Sequence, residues 1–288
     1  MIPSDVPRAV AAGMAAATAA GLDVDDATVI QDSDRIVARL LPADVVVRVA
    51  YDRRPEGPGF EVPGFEVEVA RCLGAAGGPV GTLDPRVEPR VHLHDGFAVT
   101  FWTYYEPLPA RIDPPQYAAA LLALHASMRQ AELVAPHFTD RVAAAQTMLG
   151  DRTRTPQLGD EDRELLSTLL QQRTASITGR GASEQLLHGE PHPGNLIPTR
   201  MGPLFVDLGT AVRGPVEFDL AHAPEHVGHY YPGTDKDLLR DCRILMLAMV
   251  TTWRWDRDDQ LPDGRRLAME WLGRVRAARD RRGPDPSP

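Results

Sequence analysis

Alternating hydrophobic and polar residues characterise the first third of the chain. An alanine-rich segment at 9–22 predicts a helix, because alanine is the best helix former. Three short β-rich runs follow it, ATVIQ at 27–31, RIVARLL at 35–41 and DVVVRVA at 44–50. Asp, Ser and Pro residues separate these runs, and this pattern predicts antiparallel strands joined by turns.

A further helix and two more β runs complete this part of the chain. Hydrophobic residues recur at helical spacing in GFEVEVARCLGAAGG at 64–78, and a glycine pair ends the pattern. The runs RVEPRVHLH at 86–94 and FAVTFWTYY at 97–105 predict two strands. The first third of the chain is therefore expected to form a sheet with two helices.

Helical periodicity replaces alternation after the TYYEP segment. It predicts helices around 234–254 and 264–281, and earlier ones in QYAAALLALHASMRQA, RVAAAQTML and EDRELLSTLLQQR. A strand-rich first third followed by a helix-rich remainder predicts an α+β fold. We expect an N-lobe over 1–103, a C-lobe over 104–282 and a disordered tail, GPDPSP, over 283–288.

Composition restricts the class of protein. The 288 residues carry a formal net charge of −9, which disfavours a nucleic-acid partner and is compatible with a cationic or neutral small molecule. No segment approaches the ~20 apolar residues that a membrane span needs. Cys72 and Cys242 are too far apart for a disulfide framework or a CxxC site, so we expect a cytoplasmic location. Lys236 is the only lysine, so nearly all positive charge is arginine.

The segment LLHGEPHPGNLIP at 186–198 holds the candidate chemistry. Its prolines and glycine keep it from being helical, so an extended loop can point the carboxylate of Glu190 and the amide of Asn195 into one space. Further on, FVDLGT places Asp207 at the end of a β run. Oxygen donors of this kind are the ligands that Mg²⁺ requires, with phosphate oxygens and water completing its octahedron.

These two segments also resemble a known family. LLHGEPHPGNLI, followed by LFVDLGTAVRGPVEFDLAH, resembles the aminoglycoside phosphotransferase family, whose usual form is HGDxHxxN and then IDxxxxxxGxxxxDLA. The segment ALLALHA at 120–126 is similar to the LAxLH helix of that family, and the resemblance covers most of the chain. The sequence departs from the pattern at Glu190, where the family has Asp.

The resemblance implies a protein-kinase-like two-lobed fold, with an antiparallel-sheet N-lobe and a mostly helical C-lobe. It also implies Mg²⁺-dependent transfer of the γ-phosphate of ATP or GTP to a hydroxyl of a small molecule, with an antibiotic as the leading acceptor. Glu190 would orient or deprotonate that hydroxyl, and Asn195 and Asp207 would hold the magnesium ions. His188 would brace the loop by hydrogen bonding, and Asp219 of the DLA motif would support it.

In a kinase-like site, a cation on the third strand binds the phosphates and a carboxylate from the next helix holds it. With no lysine before residue 236, Arg48 is the residue in DVVVRVA that can serve, although it could also be an ordinary exposed strand residue. Glu66 and Glu68 lie about 200° apart on a helix, so only one can face the cleft. Glu68 has Arg71 three residues on as a solvated partner, which favours Glu66.

A glycine-rich phosphate loop is missing from the first hairpin. Ser33 and backbone amides would have to cover the phosphates there. The adenine is expected against backbone groups at the lobe junction, near Thr103, Tyr104 and Tyr105.

The acceptor is less constrained. Acidic and aromatic residues near the C-terminus could bind a polycationic antibiotic by charge and stacking: Asp235, Asp237, Asp241, Trp253, Trp255 and Asp256. A solvated charged face with core tryptophans explains them equally well. An uncharged sugar, nucleoside or macrolide hydroxyl and a metabolite alcohol remain open, as do a monomer and a dimer.

Two other functions compete with transfer. The Asp-to-Glu change at 190 moves the carboxylate by about 1 Å, which is compatible with a kinase-fold binding protein that transfers nothing. The segment HAPEH at 222–226 matches an H-x-x-E-H zinc pattern, but Pro224 interrupts the helix that such a site needs.

Overall fold

Five antiparallel strands form the sheet of the first lobe, in the order β1-β2-β3-β5-β4. The structure, a computed structural model, describes residues 5–33, 35–51, 63–259, 261 and 263–280. The strands are β1 (Val24–Asp32), β2 (Ile36–Pro42), β3 (Val45–Tyr51), β4 (His92–His94) and β5 (Phe97–Thr103). The antiparallel pairing predicted from the alternating pattern is therefore present.

The run RVEPRVHLH is shorter as a strand than its composition suggests. Only His92–His94 pairs with β5. Upstream, the Asp84 carboxylate accepts a hydrogen bond from the backbone N–H of Arg86 at 2.9 Å, which bends the chain. Pro89 has no N–H to offer to a neighbouring strand. Most of this run therefore forms turns.

The sheet has two differently covered faces. Helix α1 (Val6–Ala19) packs its buried alanines against one face, where Val47 and Val49 of β3 are fully buried. Alternation along β3 sends Arg48 to the opposite face. Helix α2 (Pro63–Ala75) packs into the hydrophobic cluster of this second face together with Trp102. Arg48 is thus directed toward the space between the lobes.

The second lobe is mainly helical. Its helices are α3 (Pro114–Met128), α4 (Phe138–Gly150), α5 (Asp160–Gly179), α6 (Val216–His222), α7 (Val227–Tyr230), α8 (Lys236–Trp253) and α9 (Gly264–Asp280). Helix α8 contacts α4, α5, α6 and α9. The core of this lobe contains fully buried Leu121, Phe138, Leu166 and Leu245. Each of the helices predicted from periodicity is present, with bounds shifted by a few residues.

Two short two-stranded sheets carry the segments that the sequence marks as chemical. Strand β6 (Gln185–Leu187) pairs with β9 (Val212–Gly214), and β7 (Leu196–Thr199) pairs with β8 (Gly202–Phe205). LLHGEPHPGNLIP runs from β6 into β7, and Asp207 follows β8. These pairings bring the two motifs side by side, and Val206 N donates to the carbonyl of Asn195 at 3.0 Å. The predicted tail at 283–288 lies outside the described residues.

The described part of the chain contains no helix long and apolar enough to cross a membrane. The two lobes together form an α+β fold, as the sequence predicts.

The contact between α1 and the sheet depends on Gly13. A Cβ at this position would lie 3.1 Å from Val49 Cγ2 and 3.2 Å from Val47 Cγ1. We expect Gly13→Leu to lower the free energy of unfolding by about 1–3 kcal/mol, because the added side chain forces helix and sheet apart. Urea titration measures this. Gly273→Leu is the control, since Gly273 lies exposed in α9 with no atom within 4 Å of an added Cβ; equal losses in both variants would contradict the explanation.

Candidate active site

A buried carboxylate supports the loop that follows β6. Asp219, on α6, accepts hydrogen bonds from the backbone N–H groups of His188 and Gly189 at 2.9 and 2.8 Å. His125 Nε2, from α3, lies 2.9 Å from the same carboxylate. Burial alone raises the pKa of Asp219, but the hydrogen bond and charge of His125 bring it below its usual value. Two elements thus hold the loop through one ionised group.

His188 ties the loop to the strand before Asp207. It is fully buried, Nε2 donates to the carbonyl of Val206 at 3.0 Å, and Nδ1 accepts from the backbone N–H of Glu190 at 3.3 Å. Burial lowers the pKa of His188, so the ring is neutral with its proton on Nε2. Through these two bonds His188 joins the loop to the segment before Asp207.

Gly189 allows the close approach of the loop to the chain after Asp207. Its φ is +88°, a left-handed conformation that L residues with side chains rarely adopt. A Cβ here would lie 2.0 Å from the carbonyl oxygen of Thr210. Any other residue at this position would have to push the two segments apart.

Asn195 lies in a 3₁₀ turn, Pro193–Asn195, that closes the loop. Its Nδ2 donates to the carbonyl of Glu190 at 3.0 Å, and its own carbonyl accepts from Val206 N at 3.0 Å. Asp207 follows directly, with a positive φ of 69°. The hydrogen bonds therefore place Asn195 beside the segment that carries Asp207.

An ionic cluster joins Asp207 to the first lobe. Arg48 Nη2 donates to Asp207 Oδ1 at 2.6 Å, and Arg48 Nη1 donates to Glu66. Glu66 is 4% exposed and also accepts from the backbone N–H of Leu208 at 3.2 Å, whereas Glu68 is exposed. The carboxylate beside Arg48 is thus Glu66.

Arg35 is a member of this cluster that the sequence interpretation missed. Its Nη1 lies 3.1 Å from Asp207 Oδ1 and 3.9 Å from Glu66 Oε2. Burial raises the pKa of Asp207, but Arg48 and Arg35 bring it down to about 2. A signal existed, because Arg35 begins the second β run and directly follows the first turn.

Arg141 is the second residue that sequence interpretation missed. From α4 it forms an ion pair with the Glu190 carboxylate, and its Nη1 donates to the carbonyl of Gly189 at 3.2 Å. Burial raises the pKa of Glu190, but the charge of Arg141 and, less strongly, of His222 brings it below its usual value. No local pattern marks Arg141, which lies 49 residues before Glu190 and reaches it through the packing of the helical lobe.

Comparison with known proteins places this geometry in a family. A model described as the phosphotransferase enzyme family, abbreviated APH, matches residues 21–241. The chain belongs to this phosphotransferase family. It is accordingly a phosphotransferase that acts on small molecules. No curated protein sequence matches the chain.

Solved structures support the fold of this phosphotransferase. An amicoumacin kinase in complex with AMP-PNP, Ca²⁺ and Ami has a TM-score of 0.70 at 12% identity and covers 96% of each chain. A choline/ethanolamine kinase family protein from Mesorhizobium loti has a TM-score of 0.60 at 15% identity, covering 91% of this chain and 90% of that one. The GDP complex of an aminoglycoside 2'-phosphotransferase-IIIa mutant has a TM-score of 0.62 at 13% identity, covering 93% and 97%. The fold is therefore that of two-lobed kinases.

The residues predicted at the lobe junction of the phosphotransferase lie at the end of β5. Thr103 N donates to the carbonyl of Thr82 at 2.9 Å, and the hydroxyl of Tyr105 lies 2.8 Å from Thr82 Oγ1. The guanidinium of Arg39 lies 3.7 Å from the ring centroid of Tyr104. Ser33 lies in the first turn, where its backbone N–H donates to the carbonyl of Arg35 at 3.0 Å. Their contact with a nucleotide stays a prediction.

The six predicted acceptor residues do not come together. Trp253 lies against the site, since the guanidinium of Arg141 is 5.1 Å from its ring centroid. Asp241 is buried and accepts hydrogen bonds from Arg173 and Ser176 at 2.7 Å each, so its carboxylate is engaged inside the lobe rather than facing a ligand.

The other four predicted acceptor residues lie in different surroundings, although Asp235 is 3.7 Å from Arg180, which also contacts Asp241. Trp255 is buried beneath Arg265, and Asp256 forms an ion pair with Arg154. Asp235 caps the first turn of α8, and exposed Asp237 pairs with Arg240 at 3.1 Å. Asp235 and Asp237 are exposed at the start of α8, whereas Asp241 is buried, and contact of any of the six residues with an acceptor stays a prediction.

The HAPEH segment does not form the helix face that a zinc site requires. Helix α6 ends at His222, Ala223 is extended, and α7 begins only at Val227. Within the part of the chain that the structure describes, no three His, Cys, Asp or Glu residues group as metal ligands. Pro224 breaks the helix, as the sequence indicates.

Removing the charge beneath the loop tests its support. Asp219→Asn keeps the size of the side chain but weakens three hydrogen bonds in a fully buried position. We expect the free energy of unfolding to fall by about 3 kcal/mol, together with loss of turnover. Urea titration and a phosphate-release assay measure both. Glu88→Gln removes an exposed carboxylate and serves as control; a stable, fully active Asp219→Asn protein would refute the support role.

His222 should contribute to acid sensitivity. Burial lowers its pKa from 6.5 to about 4, so below about pH 6.5 the unfolded chain binds a proton that the folded chain does not. The associated stability is fully present above pH 6.5, is lost as the pH falls through 4, and amounts to roughly 3 kcal/mol.

We therefore expect His222→Gln to flatten the dependence of unfolding free energy on pH between 6.5 and 4, relative to the unchanged protein. Urea titrations at several pH values measure the slope. His229→Gln changes an exposed histidine and is the control. Parallel curves for His222→Gln and the unchanged protein would show that His222 is not responsible.

Proposed function

We propose that this phosphotransferase moves the γ-phosphate of ATP or GTP, with Mg²⁺, to a hydroxyl group of a small molecule. The proposal rests on three features that lie next to one another. They are the loop that carries Glu190, the adjacent segments that carry Asn195 and Asp207, and the ionic cluster in which Arg48 contacts both Glu66 and Asp207. In phosphoryl transfer these parts position the acceptor, hold the metal and bind the phosphates.

The donor set suits a hard cation. Asp207 is ionised at neutral pH because its pKa lies near 2. Asn195 uses its Nδ2 for the Glu190 carbonyl, and this contact leaves the amide oxygen for a metal. Carboxylate and amide oxygens are ligands that Mg²⁺ accepts, and the bound ion would neutralise charge on the phosphates.

Two arginines are suited to the phosphates. Arg48 and Arg35 both approach Asp207 Oδ1 from the first lobe. A guanidinium is always charged and can bind two oxygens at once, which suits phosphate. We propose that Arg48 and Arg35 bind the phosphates, with Glu66 holding Arg48, Ser33 covering them from the first turn, and Thr103, Tyr104 and Tyr105 lining the adenine position.

Glu190 would accept the hydrogen bond of the acceptor hydroxyl. Because its pKa is below the ordinary value, Glu190 is a carboxylate and a weak base. Its main role would be to orient the hydroxyl, rather than to remove the proton before transfer. In a loose phosphoryl transition state, orientation of the acceptor is the main requirement.

A hydroxylated antibiotic is the acceptor that we propose first. Among similar folds are the amicoumacin kinase and a ternary complex of streptomycin, ATP and APH(2")-IIa. Trp253 offers an aromatic face beside Arg141 for such a molecule. A choline kinase from Streptococcus pneumoniae has the same fold with a TM-score of 0.66, which makes an amino alcohol metabolite the second candidate. Free Cys72 and Cys242 fit a cytoplasmic protein.

Incubation of the protein with Mg-ATP or Mg-GTP and a panel of hydroxylated antibiotics, sugars, nucleosides and amino alcohols tests the proposal. Mass spectrometry should show one acceptor class gaining a phosphoryl group. If Mg-ATP raises the melting temperature, no acceptor is phosphorylated and no phosphate is released to water, the chain is a nucleotide-binding protein without transfer.

Replacement of Glu190 tests its role. Glu190→Gln keeps the shape but removes the charge, so we expect turnover to fall about 100-fold or more while the Kd of Mg-ATP changes less than about 3-fold. Asp207→Asn should instead weaken Mg-ATP binding. Asp263→Asn, an exposed residue in an ion pair with Arg266, is the control. Undiminished turnover of Glu190→Gln would remove it from contact with the reacting hydroxyl.

A further inference from the structure

Arg141 of α4 binds the carboxylate of Glu190. This carboxylate is one methylene further from the backbone than that of the Asp in the family pattern. Arg141 Nη2 donates to Glu190 Oε1 and Arg141 Nη1 donates to the carbonyl of Gly189 at 3.2 Å. Arg141 itself is only 5% exposed. One guanidinium therefore contacts both the side chain and the backbone of the loop.

The guanidinium is itself fixed in place. Its carbon atom lies 5.1 Å from the ring centroid of Trp253, so a planar aromatic face supports the planar fork. On the other side, the loop that carries the Gly189 carbonyl is held by Asp219, which accepts from Gly189 N, and by Thr210, which donates to the His188 carbonyl. The anchor for Glu190 is thus rigid on both sides.

A longer carboxylate needs such an anchor. Glu has one more rotatable bond than Asp, and a displacement of about 1 Å in the reacting geometry can cost on the order of 100-fold in rate. Tying Oε1 to Arg141 restricts that bond and leaves Oε2 for the acceptor hydroxyl.

We propose that Arg141 is the positioning residue that makes Glu190 competent in place of the usual Asp. This inference rests on the proposed function, since it assigns no role unless Glu190 meets the acceptor. The role assigned to Arg141 is to act through Glu190 rather than by contact with acceptor or phosphate. In the Glu190→Asp variant the carboxylate would be drawn back from the guanidinium, and Arg141 would lose its effect on turnover.

A purely structural ion pair is the competing explanation, and the chain offers a matched control for it. Arg173 of α5 bonds the buried Asp241 at 2.7 Å within the same lobe. Loss of either arginine removes a guanidinium from a carboxylate that is half-buried at Glu190 and buried at Asp241, so both variants should lower the melting temperature. Only the Arg141 pair includes Glu190.

The experiment is a double-mutant cycle on phosphate release from Mg-ATP with water as acceptor, repeated with any acceptor that the panel identifies. Arg141→Met should lower kcat about 30-fold or more when Glu190 is unchanged, leave the KM of Mg-ATP within about 3-fold, and change kcat less than about 3-fold in the Glu190→Asp background. Arg173→Met should leave kcat within about 3-fold at a temperature where it is folded. Arg141→Lys should recover part of the turnover, because it keeps the charge without the fork.

The outcomes separate the two proposals. Equal loss of kcat from Arg141→Met in the unchanged protein and in the Glu190→Asp background overturns the positioning role alone. If turnover of Glu190→Asp is too slow to measure, kcat of the three arginine variants is compared with their melting temperatures. If kcat falls in step with melting temperature across Arg141→Lys, Arg141→Met and Arg173→Met, the positioning role is overturned. If Arg141→Lys has a higher kcat than Arg141→Met without a matching gain in melting temperature, the positioning role is supported. No turnover in the unchanged protein overturns the proposed function and the role of Arg141 with it.

Discussion

The contact of Arg48 with both Glu66 and Asp207 is the interaction on which the arrangement of the two lobes depends. It joins a strand of the sheet, the helix that follows, and the segment after β8 of the helical lobe. Removing such charges from water is costly, and the cluster offsets this cost by pairing every carboxylate with a guanidinium or a backbone N–H group. Arg35 and the N–H of Leu208 complete that pairing.

Because lysine is scarce in this chain, arginines supply the positive charge of the cluster. A lysine ammonium is a compact point charge, whereas the planar guanidinium presents donors in two directions at once. Arg48 uses two separate nitrogens for two carboxylates, and Arg35 approaches Asp207 as well. The same chemistry recurs at the loop that follows β6, where Arg141 uses two nitrogens for Glu190 and the Gly189 carbonyl. Arginine thus connects the parts of the site in both lobes.

The loop itself is defined by hydrogen bonds to its backbone. Asp219 binds two consecutive N–H groups, His188 joins the loop to Val206, and Asn195 returns to the Glu190 carbonyl. These bonds fix the backbone positions of the loop, while the contact with Arg141 fixes the position of the Glu190 carboxylate group. The longer acidic residue therefore fits a loop whose backbone is set by the residues that the family motif shares.

The strand and helix pattern and the two motifs followed from the sequence alone, because alternation and helical periodicity are local. The lack of an earlier lysine pointed to Arg48 within a kinase-like site, and its contact with phosphate stays a prediction. Helix geometry showed that only one of Glu66 and Glu68 could face the cleft, and Arg71 as a solvated partner of Glu68 favoured Glu66. The folded chain was needed to show that Arg35 and Arg141 reach the site, that Asp241 is buried, and that RVEPRVHLH is mostly turns. Periodicity shows which face of an element is covered, but the residue that covers it comes from a distant element whose position depends on the packing of the whole lobe.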